Sequence, residues 1–426
     1  MLRRLFPGVY EGWLVVIANV AVVTLIGGSF VYGFGTIFTS ITDEFGWSVA
    51  LTAVAFSARS EFGGLVSPVI GLMIDRLGPR RVLLFGVASA AAGVLLISFM
   101  SDLWQFFLGM VLIAVGTSSA SGHVGLVATA TWFDRRRGRA LSVLTLGGAT
   151  AGMLTVGAGW LVDELGWRVA LRVMVVAVVA IGAVAALDVR SRPDDHPQPM
   201  DGIGAPLAPG VTPMPRWGIP VGEALRTRAF LFLTVAVLAN GFGWTAVLVH
   251  QVPFLESLGA STTTAAAFVS VFAVATISGR LGFGYLADLF DKRYVYAAAL
   301  AALAVGVLGL GLARTHQQGL VALLLVAPGF GGVMPVRPAL IADFFGTAHF
   351  GVISGVSEMT MTIGAFLGPL VVGLAVDETG EYAVGWLLAA AALTVGIPAI
   401  LAARPPTEIL AHHRERALAA APPRSR

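Results

Sequence analysis

Charged residues are rare within the long apolar stretches of this sequence, and those few residues are where chemistry could occur. Five lie well inside such stretches: Arg59, Glu61, Arg280, Arg337 and Glu358. A charge at the centre of a membrane helix costs at least about 2.5–3.5 kcal/mol unless it is paired or hydrated. Three arginines and two glutamates leave one formal positive charge. That charge suits a bound monoanion such as a carboxylate.

Arg280 is the predicted anion-binding residue, because a guanidinium can hold a carboxylate through two parallel hydrogen bonds. It lies about 12 Å along its helix from Asp288, which closes the same apolar stretch. Arg337 and Glu358 are predicted at a similar depth. The two could simply pair with each other, or Glu358 could carry a proton after its pKa is raised by burial.

Glu61 and Arg59 allow the same alternatives on another predicted helix. Glu61 could neutralise Arg59 or Arg280, or it could be the proton carrier itself. Arg59 lies about 16 Å from the outer end of its helix, near the middle of the membrane. We therefore treat both residues as charge-pair or proton-coupling candidates.

Two histidines and two aromatic residues within spans are further candidates. His250 could donate a hydrogen bond to a substrate or relay a proton near neutral pH, although a lone membrane histidine commonly serves helix packing. His123 has the same two interpretations. Tyr32 and Phe330 could line a substrate cavity as apolar walls or could belong to the packed interior.

Composition excludes several classes of protein. Hydrophobic residues make up 57% of the 426 residues and charged residues only 12%, about half the usual charged fraction of a soluble domain. The chain has no cysteine, and it has no HExxH or phosphate-loop motif. We therefore expect no enzyme activity, no catalytic residue, no bound metal and no cofactor. Basic residues occur in short clusters between apolar runs, which does not indicate nucleic-acid binding.

Twelve apolar segments near the length of a membrane span position these residues. The sequence predicts an all-α membrane protein with four regions: an N-terminal six-helix bundle at 1–188, a linker at 189–225, a C-terminal six-helix bundle at 226–404, and a tail at 405–426. The linker is rich in proline and glycine, which predicts a flexible loop. The predicted spans are 11–38, 48–73, 82–100, 103–131, 140–161, 168–188, 227–255, 262–287, 294–313, 318–343, 351–375 and 382–403.

The distribution of basic residues predicts the orientation of the spans. Of 27 lysines and arginines, most lie on the side that carries both termini and the linker. Cytoplasmic loops carry the excess of positive charge. We therefore expect a multi-pass protein of the cell membrane with both termini and the linker in the cytoplasm.

An internal repeat divides the chain into two related halves. A Gly–Asp–Arg set, each ending an even-numbered span, recurs 213 positions later. Because both copies start on the same side, they are parallel repeats about an axis along the membrane normal, an arrangement found in transporters. The two sets are Gly71, Asp75 and Arg80, and Gly284, Asp288 and Arg293.

The first copy, Gly71-Leu-Met-Ile-Asp75-Arg76-Leu-Gly78-Pro-Arg80-Arg81, resembles the loop 2–3 signature of the major facilitator superfamily. The resemblance implies two pseudo-symmetric six-helix bundles. An aspartate at this place can lie near the positive N-terminus of another helix, and the arginines can pair with carboxylates of the other half. We therefore predict a gating group on the cytoplasmic side, consisting of Asp75, Arg76, Arg80, Arg81, Asp134, Asp288 and Arg293.

Within that superfamily the chain resembles the monocarboxylate transporters and the bacterial oxalate–formate antiporters. Tyr10-Glu-Gly-Trp13 is similar to their opening of helix 1, and Trp132-Phe-Asp-Arg-Arg-Arg137 is similar to their helix 4–5 segment. The resemblance implies that Arg280 in helix 8 binds the substrate carboxylate. Two positions depart from it. Thr276 replaces the acidic residue of many relatives, and Glu358 stands in the helix where the antiporters carry a second cation, which argues against a dianion such as oxalate.

These observations predict a secondary active transporter of a small monocarboxylate that works by alternating access, with the proton as coupling ion. The chain is expected to function as a monomer in the lipid bilayer. Anion exchange is the alternative. Multidrug efflux is a weaker one, because a cationic drug would favour unpaired acids over Arg280. A sugar transporter is disfavoured, because the chain has only two asparagines to bind a polyol, Asn19 and Asn240.

Overall fold

In the computed structural model, residues 6, 8–32, 37–189, 200–203 and 217–419 are described. Apart from loops and one isolated bridge between Gly218 and Gly346, the described residues form helices and turns. The N-terminal half contains α1 (Glu11–Ile26, continued by a π-helical turn to Tyr32), α2 (Phe38–Phe45), α3 (Val49–Leu65), α4 (Ser67–Leu77), α5 (Pro79–Ser98), α6 (Leu103–Thr117, continued by a π-helical turn at Ser118–His123), α7 (Val124–Trp132), α8 (Arg137–Ala151), α9 (Leu154–Leu165) and α10 (Trp167–Asp188).

The C-terminal half repeats this pattern with longer continuous helices. A short helix, α11 (Val221–Ala224), leads into it from the linker, and a polar helix follows its last span. The helices are α12 (Arg228–Ser257), α13 (Thr262–Leu289), α14 (Lys292–Leu312), α15 (His316–Phe345), α16 (Phe350–Thr379), α17 (Tyr382–Ala402) and the tail helix α18 (Thr407–Ala419).

Ten of the helical segments in the described chain are long and apolar enough to cross a membrane. The other two predicted spans are each divided into two helices. The second span breaks at Val66 because Pro68 lies in the first turn of α4, where its missing N–H and fixed φ are tolerated. The fifth breaks at Gly152 and Met153, between α8 and α9. The predicted twelve-helix, all-α fold is confirmed.

Hydroxyl side chains fix where several spans begin. Ser48, Thr227, Ser261 and Thr315 each accept a hydrogen bond from the backbone N–H three residues later, at 3.1 to 3.3 Å. Each bond satisfies one of the N–H groups that a helix start leaves without a partner. The polar residue before each apolar run therefore sets the level at which the span starts.

The outward faces of the spans are apolar and exposed. Large side chains with more than half of their surface accessible include Trp104, Trp160, Val176, Val274 and Phe366. A soluble monomer rarely exposes a contiguous apolar surface of this kind. The exposed apolar residues therefore define the lipid-facing surface, whereas the charged residues of the spans lie on inward faces.

The two halves touch where glycines let helices approach closely. A Cβ at Gly71 of α4 would collide with the carbonyl oxygen of Gly351 at the start of α16. In the same way, a Cβ at Gly138 of α8 would collide with the carbonyl oxygen of Gly284 in α13. These contacts are related by the 213-residue repeat, because Gly71 corresponds to Gly284 and Gly138 to Gly351. The repeat in the sequence is thus also a pseudo-symmetry of the interface.

The described parts of the linker make defined contacts, which differs from the predicted flexible loop. The Asp201 carboxylate accepts hydrogen bonds from the N–H groups of Asp134, Arg135 and Arg136 at 3.0 to 3.3 Å. Burial, and secondly the charge of Asp201, raise the pKa of the neighbouring Tyr10. Composition alone does not show these contacts, because they depend on one carboxylate meeting three exposed N–H groups of another loop. Residues 190–199 and 204–216 lie outside the described part of the chain.

Candidate functional site

The Asp75 carboxylate joins the two halves by capping a helix of the opposite half. It accepts hydrogen bonds from the backbone N–H groups of Gly351 at 2.9 Å and Val352 at 3.0 Å, at the start of α16. These N–H groups have no partner within their own helix, and the helix N-terminus carries partial positive charge. The carboxylate therefore holds α4 against α16 at the face that carries the basic loops, called here the basic face.

Asp288 makes the pseudo-symmetric contact from the C-terminal half. Its carboxylate accepts from the N–H of Gly138 at 2.6 Å and the N–H of Arg139 at 3.2 Å, at the start of α8. The Arg139 guanidinium adds an ion pair at 2.8 Å, and the Asp288 side chain is only 1% exposed. Together, Asp75 and Asp288 form a double aspartate latch across the basic face.

A second cross-half network was not found from the sequence. Arg137, at the start of α8, pairs with Asp343 near the end of α15 at 2.6 Å, and Lys292 reaches the same carboxylate at 2.5 Å. The Arg137 side chain is 5% exposed and also donates to the carbonyl oxygens of Ala130 and Phe133. The sequence offers only a run of arginines in one loop, a pattern typical of a topology signal.

The predicted cross-half ion pairs of the remaining basic residues are not formed in the described structure. Arg76, Arg80 and Arg81 are exposed and make no ion pair among the described residues. Arg293 pairs at 2.6 Å with Asp291 of its own loop, and the hydrogen bond from Arg293 lowers the pKa of Asp291. An ion pair between solvent-exposed side chains adds little stability. The carboxylate nearest to Arg76, Arg80 and Arg81 is that of Asp75, which already accepts hydrogen bonds from backbone N–H groups.

Asp134, also predicted to belong to the gating group, makes no ion pair with the other half among the described residues. Its carboxylate is 66% exposed and lies 3.3 Å from the guanidinium of Arg137, in the same loop. Its backbone N–H donates to Asp201 of the linker. Asp134 therefore supports Arg137 and binds the linker, while Arg137 itself makes the contact with the other half.

Four polar side chains of the spans lie at one level, called here the charged layer: His123, Arg280, Arg337 and Glu358. Each is 8 or 9 residues from the basic-face end of its helix, namely Trp132, Leu289, Phe345 and Phe350. By helical rise this places them about 12–14 Å from that face. The layer therefore lies directly beyond the latch, on four different helices of both halves.

Arg280 contacts the opposite half directly. Its side chain is buried, at 7% exposure, and its Nη1 donates a hydrogen bond to the carbonyl oxygen of Thr145 in α8. One turn earlier on α8, the Ser142 hydroxyl donates to the backbone carbonyl of Arg280 at 2.6 Å. The guanidinium thus lies in the interface between α13 and α8, at the same level as the other charged groups.

Arg337 and Glu358 form an ion pair between α15 and α16 of the C-terminal half. Nη1 of Arg337 also lies 2.7 Å from the sulfur of Met361. The Arg337 side chain is 12% exposed and that of Glu358 is 32% exposed. The two charges neutralise each other, and the partly accessible carboxylate of Glu358 remains reachable by water.

His123 approaches this pair from the N-terminal half. It is 3% exposed and lies close to the backbone of Ser118 in its own helix and of Ser354 in α16. Glu358 and Arg337 are both within electrostatic range of its imidazole ring. In the described structure its Nδ1 has no hydrogen bond of good geometry. His123 is therefore a buried titratable group at the contact between the halves.

Arg59 and Glu61 lie farther from the basic face. They are 18 and 16 residues before Leu77, where α4 ends, which corresponds to about 24–27 Å. Arg59 is buried, stacks on Phe56 at 4.9 Å and donates to the Ser60 hydroxyl at 3.2 Å. Neither Arg59 nor Glu61 makes an ion pair among the described residues.

The predicted aromatic and histidine ligands also lie farther out than Arg280. Phe330 stacks on Trp244 at 4.9 Å and meets Phe272 edge-on at 5.1 Å. His250 Nε2 lies 3.0 Å from the carbonyl oxygen of Pro369, and it is 22 residues beyond Arg228, the basic-face end of α12. By helical rise His250 is about 20 Å farther from the basic face than Arg280, so one small carboxylate cannot touch both. The side chain of Tyr32 lies outside the described residues.

This arrangement of apolar spans around an inward-facing charged layer defines an integral, multi-pass membrane protein. Residues 20–281 and 231–424 match the family model described as the Major Facilitator Superfamily. The chain belongs to the Major Facilitator Superfamily and is one of its transporters.

Named relatives and solved structures agree with this assignment. The chain is 28% identical to monocarboxylate transporter 11 of mouse over 90% of its length and 86% of that protein. It is also 28% identical to monocarboxylate transporter 13 of cattle, over 90% of this chain and 87% of that protein. Among solved structures it is similar to the transporter FucP in its outward conformation, with a TM-score of 0.71, 16% identity and coverage of 93% and 100%. It is also similar to the human organic anion transporter MFSD10, with a TM-score of 0.64 and 14% identity. That match covers 92% of this chain and 98% of the MFSD10 chain.

Replacing Asp75 by asparagine is expected to open the basic face. The amide keeps one oxygen but turns an N–H₂ group toward one of the two backbone donors, which costs about 1–3 kcal/mol. That cost shifts the balance between closed and open basic face roughly 5- to 150-fold. The measurement is the distance between spin labels at Leu77→Cys and Phe290→Cys. Leu77 ends α4 and Phe290 directly follows α13; both are exposed, and the chain has no native cysteine.

Two further variants make this experiment decisive. Asp288→Asn should shift the distance in the same direction, because it breaks the pseudo-symmetric half of the latch. Glu408→Gln, which neutralises an exposed carboxylate on α18, should leave the distance unchanged. An unaltered distance distribution in both Asp75→Asn and Asp288→Asn would reduce the latch to a packing contact.

Proposed function

We propose that this protein is a secondary active transporter that carries a small monocarboxylate across the cell membrane by alternating access, with protons as the coupling ion. The observation that carries the proposal is the buried guanidinium of Arg280, which lies between the halves in the charged layer. A carboxylate bound there would exchange with or share the Thr145 contact. Substrate binding would thereby act directly on the contact between the halves.

The latch supports alternating access. Asp75, Asp288 and Arg137 all link the halves near the basic face, through groups that can separate without breaking either half. Transporters built from such repeats work by rocking one bundle against the other around a site near the midplane. We place the basic face in the cytoplasm, by the positive-inside rule. The form described here would then be closed to the cytoplasm.

The charge balance supports a monoanion as substrate. Glu358 pairs with Arg337, and Arg280 offers a second guanidinium in the charged layer, whose planar fork can hold a carboxylate through two parallel hydrogen bonds. The aromatic cluster of Trp244, Phe272 and Phe330 lies farther from the basic face and offers an apolar wall for a substrate's carbon chain. Two relatives are named monocarboxylate transporters, which agrees with this class.

Anion exchange is the second candidate function. It would use the same Arg280 site but would need no proton, because one carboxylate would replace another. The fixed Arg337–Glu358 pair favours monoanions over dianions in this case as well. Multidrug efflux is disfavoured, because the positive charge of Arg280 would repel a cationic drug, which an unpaired carboxylate would be needed to bind.

Uptake of a panel of radiolabelled monocarboxylates into proteoliposomes tests the proposal. We expect uptake of at least one member to be accelerated by an imposed inward proton gradient. Uptake that depends on internal carboxylate but is indifferent to the gradient would support exchange instead. No transport of any carboxylate by correctly inserted protein would contradict the proposed substrate class. A zwitterionic amino acid and a neutral sugar are the matched negative substrates.

A further inference from the structure

The cluster formed by His123, Arg337 and Glu358 joins titratable groups from both halves at one point. Arg337 and Glu358 pair within the C-terminal half. The π-helical turn Ser118–His123 of the N-terminal half packs against α16, which brings the imidazole of His123 within electrostatic range of both. The opposite halves thus meet here through ionisable side chains, whereas the latch uses fixed carboxylates and backbone groups. Rocking of the halves must move His123 relative to Glu358.

We infer that this cluster is the proton site of the transporter, and that a proton bound there loosens the contact between the halves and releases the basic face. This inference rests on the proposed function for its role in transport. The structural part, the response of the basic face to pH, does not depend on which substrate is carried.

The physical reason is a change in buried charge. With neutral His123, the charges of Arg337 and Glu358 cancel and the cluster is neutral. One proton taken from water, either on the imidazole or on the Glu358 carboxylate, gives the cluster a net charge of plus one. A buried uncompensated charge is costly, so the protonated cluster favours the arrangement in which the halves separate and water enters.

The position of Glu358 links this change to the latch. On α16, Gly351 and Val352 are capped by Asp75, and Glu358 lies 7 residues beyond Gly351, about 10 Å along the same helix. Gly355, between them, is in close contact with the backbone of Ser67 and Pro68 of α4. A shift of α16 at Glu358 therefore acts on the same interface that Asp75 holds closed.

The titratable and charged groups that face His123 in the described structure come from three other helices. They are Arg337 on α15, Glu358 on α16 and, beside that pair, the fully buried Tyr296 on α14. A phenol does not ionise between about pH 5 and 8. A pH response in that range is therefore expected to come from His123 and Glu358.

The test measures the separation of spin labels at Leu77→Cys and Phe290→Cys in the full chain, in lipid nanodiscs without substrate. Lowering the pH from about 8 to about 5 is expected to increase the long-distance population, by at most about tenfold per pH unit if a single proton is responsible. His123→Gln should remove most of this response. Glu358→Gln should hold the long-distance population at every pH.

Controls separate this mechanism from others. His316→Gln, which changes a histidine at the opposite end of α15, should keep the wild-type response. Loss of the response in His349→Gln, at the N-terminus of α16, with an intact response in His123→Gln, would overturn the inference. So would a wild-type distance that does not change with pH. If Glu358→Gln does not fold, the pH response of His123→Gln alone tests the inference. This variant replaces a neutral imidazole by a neutral amide and therefore leaves no buried charge without a partner.

Transport assays distinguish failure of this inference from failure of the proposed function. Counterflow needs no net proton movement, so His123→Gln should retain carboxylate counterflow and lose at least tenfold in gradient-driven accumulation. Equal retention of both activities would overturn the proton site while leaving the transporter proposal intact. A wild-type protein that moves no carboxylate, but whose basic face still opens with acid through His123, would overturn the proposed substrate and leave the proton site standing.

Discussion

Arg280→Gln is expected to lose nearly all substrate binding, and Arg280→Lys is expected to bind about 10- to 100-fold more weakly than the wild type. The lysine keeps the charge but is a compact ammonium, which cannot form the two parallel hydrogen bonds of a guanidinium with a carboxylate. Loss of one hydrogen bond to a charged group costs about 1.5–3 kcal/mol, and each 1.4 kcal/mol corresponds to about tenfold in affinity. The measurement is equilibrium binding of the best carboxylate from the uptake panel to purified protein.

A matched control tests whether replacing any arginine within a span weakens substrate binding. Arg172→Lys changes a guanidinium on α10 that contacts Ser98 and stacks on Phe99, far from the charged layer. It should bind substrate as the wild type does. Wild-type affinity in both Arg280 variants, with correct folding, would remove Arg280 from the site and make Arg59 or Arg337 the next candidate.

The architecture could be predicted largely from the sequence because its determinants are local. Apolar length predicts each span, and proline and glycine positions account for the divided second and fifth spans. The 213-residue repeat also predicts that Asp75 and Asp288 do equivalent work. Both carboxylates cap a helix of the opposite half. In this case helix position and residue type were sufficient to predict the kind of partner, a helix N-terminus, but not which helix supplies it.

Partners that depend on which helices face each other could not be predicted in this way. Arg137 was one arginine in a basic loop, yet its side chain is buried against Asp343 of the other half. Arg76, Arg80 and Arg81 have the same residue type but remain in water. Whether an arginine turns inward depends on the backbone carbonyls and carboxylates that surround it, and those come from segments distant in the sequence.

The position of His250 concerns depth along a span, not the choice of partner. The count of residues from the basic end of each span already separates His250 from Arg280 by about 20 Å. The depth of a residue along its span therefore follows from the sequence once the ends of the helix are known. The predicted span boundaries were sufficient for Arg280, Arg337 and Glu358, which lie at one level. Residue depth along a span can therefore be predicted better than the contacts at that depth.

Arg337→Met is expected to destabilise the protein strongly, because it leaves the Glu358 carboxylate without its ion-pair partner. Removing one member of a buried ion pair costs about 3–5 kcal/mol. The 32% exposure of the Glu358 side chain argues for the lower end of that range. Glu358→Leu should likewise destabilise by leaving the buried Arg337 unpaired. Thermal unfolding of the purified variants in detergent, at constant pH and lipid content, measures both effects.

The double variant Arg337→Met/Glu358→Leu separates structural stabilisation from proton binding. Replacing both charges by apolar side chains of similar volume removes the desolvation cost of the pair, so stability should recover most of the loss. The imidazole of His123 would then have no carboxylate beside it, and the response of the basic face to pH should be weakened. Recovered stability with a full wild-type pH response would show that the pair is a packing element only. Failure of the double variant to regain stability over either single variant would show that the ion pair does not determine the stability of this interface.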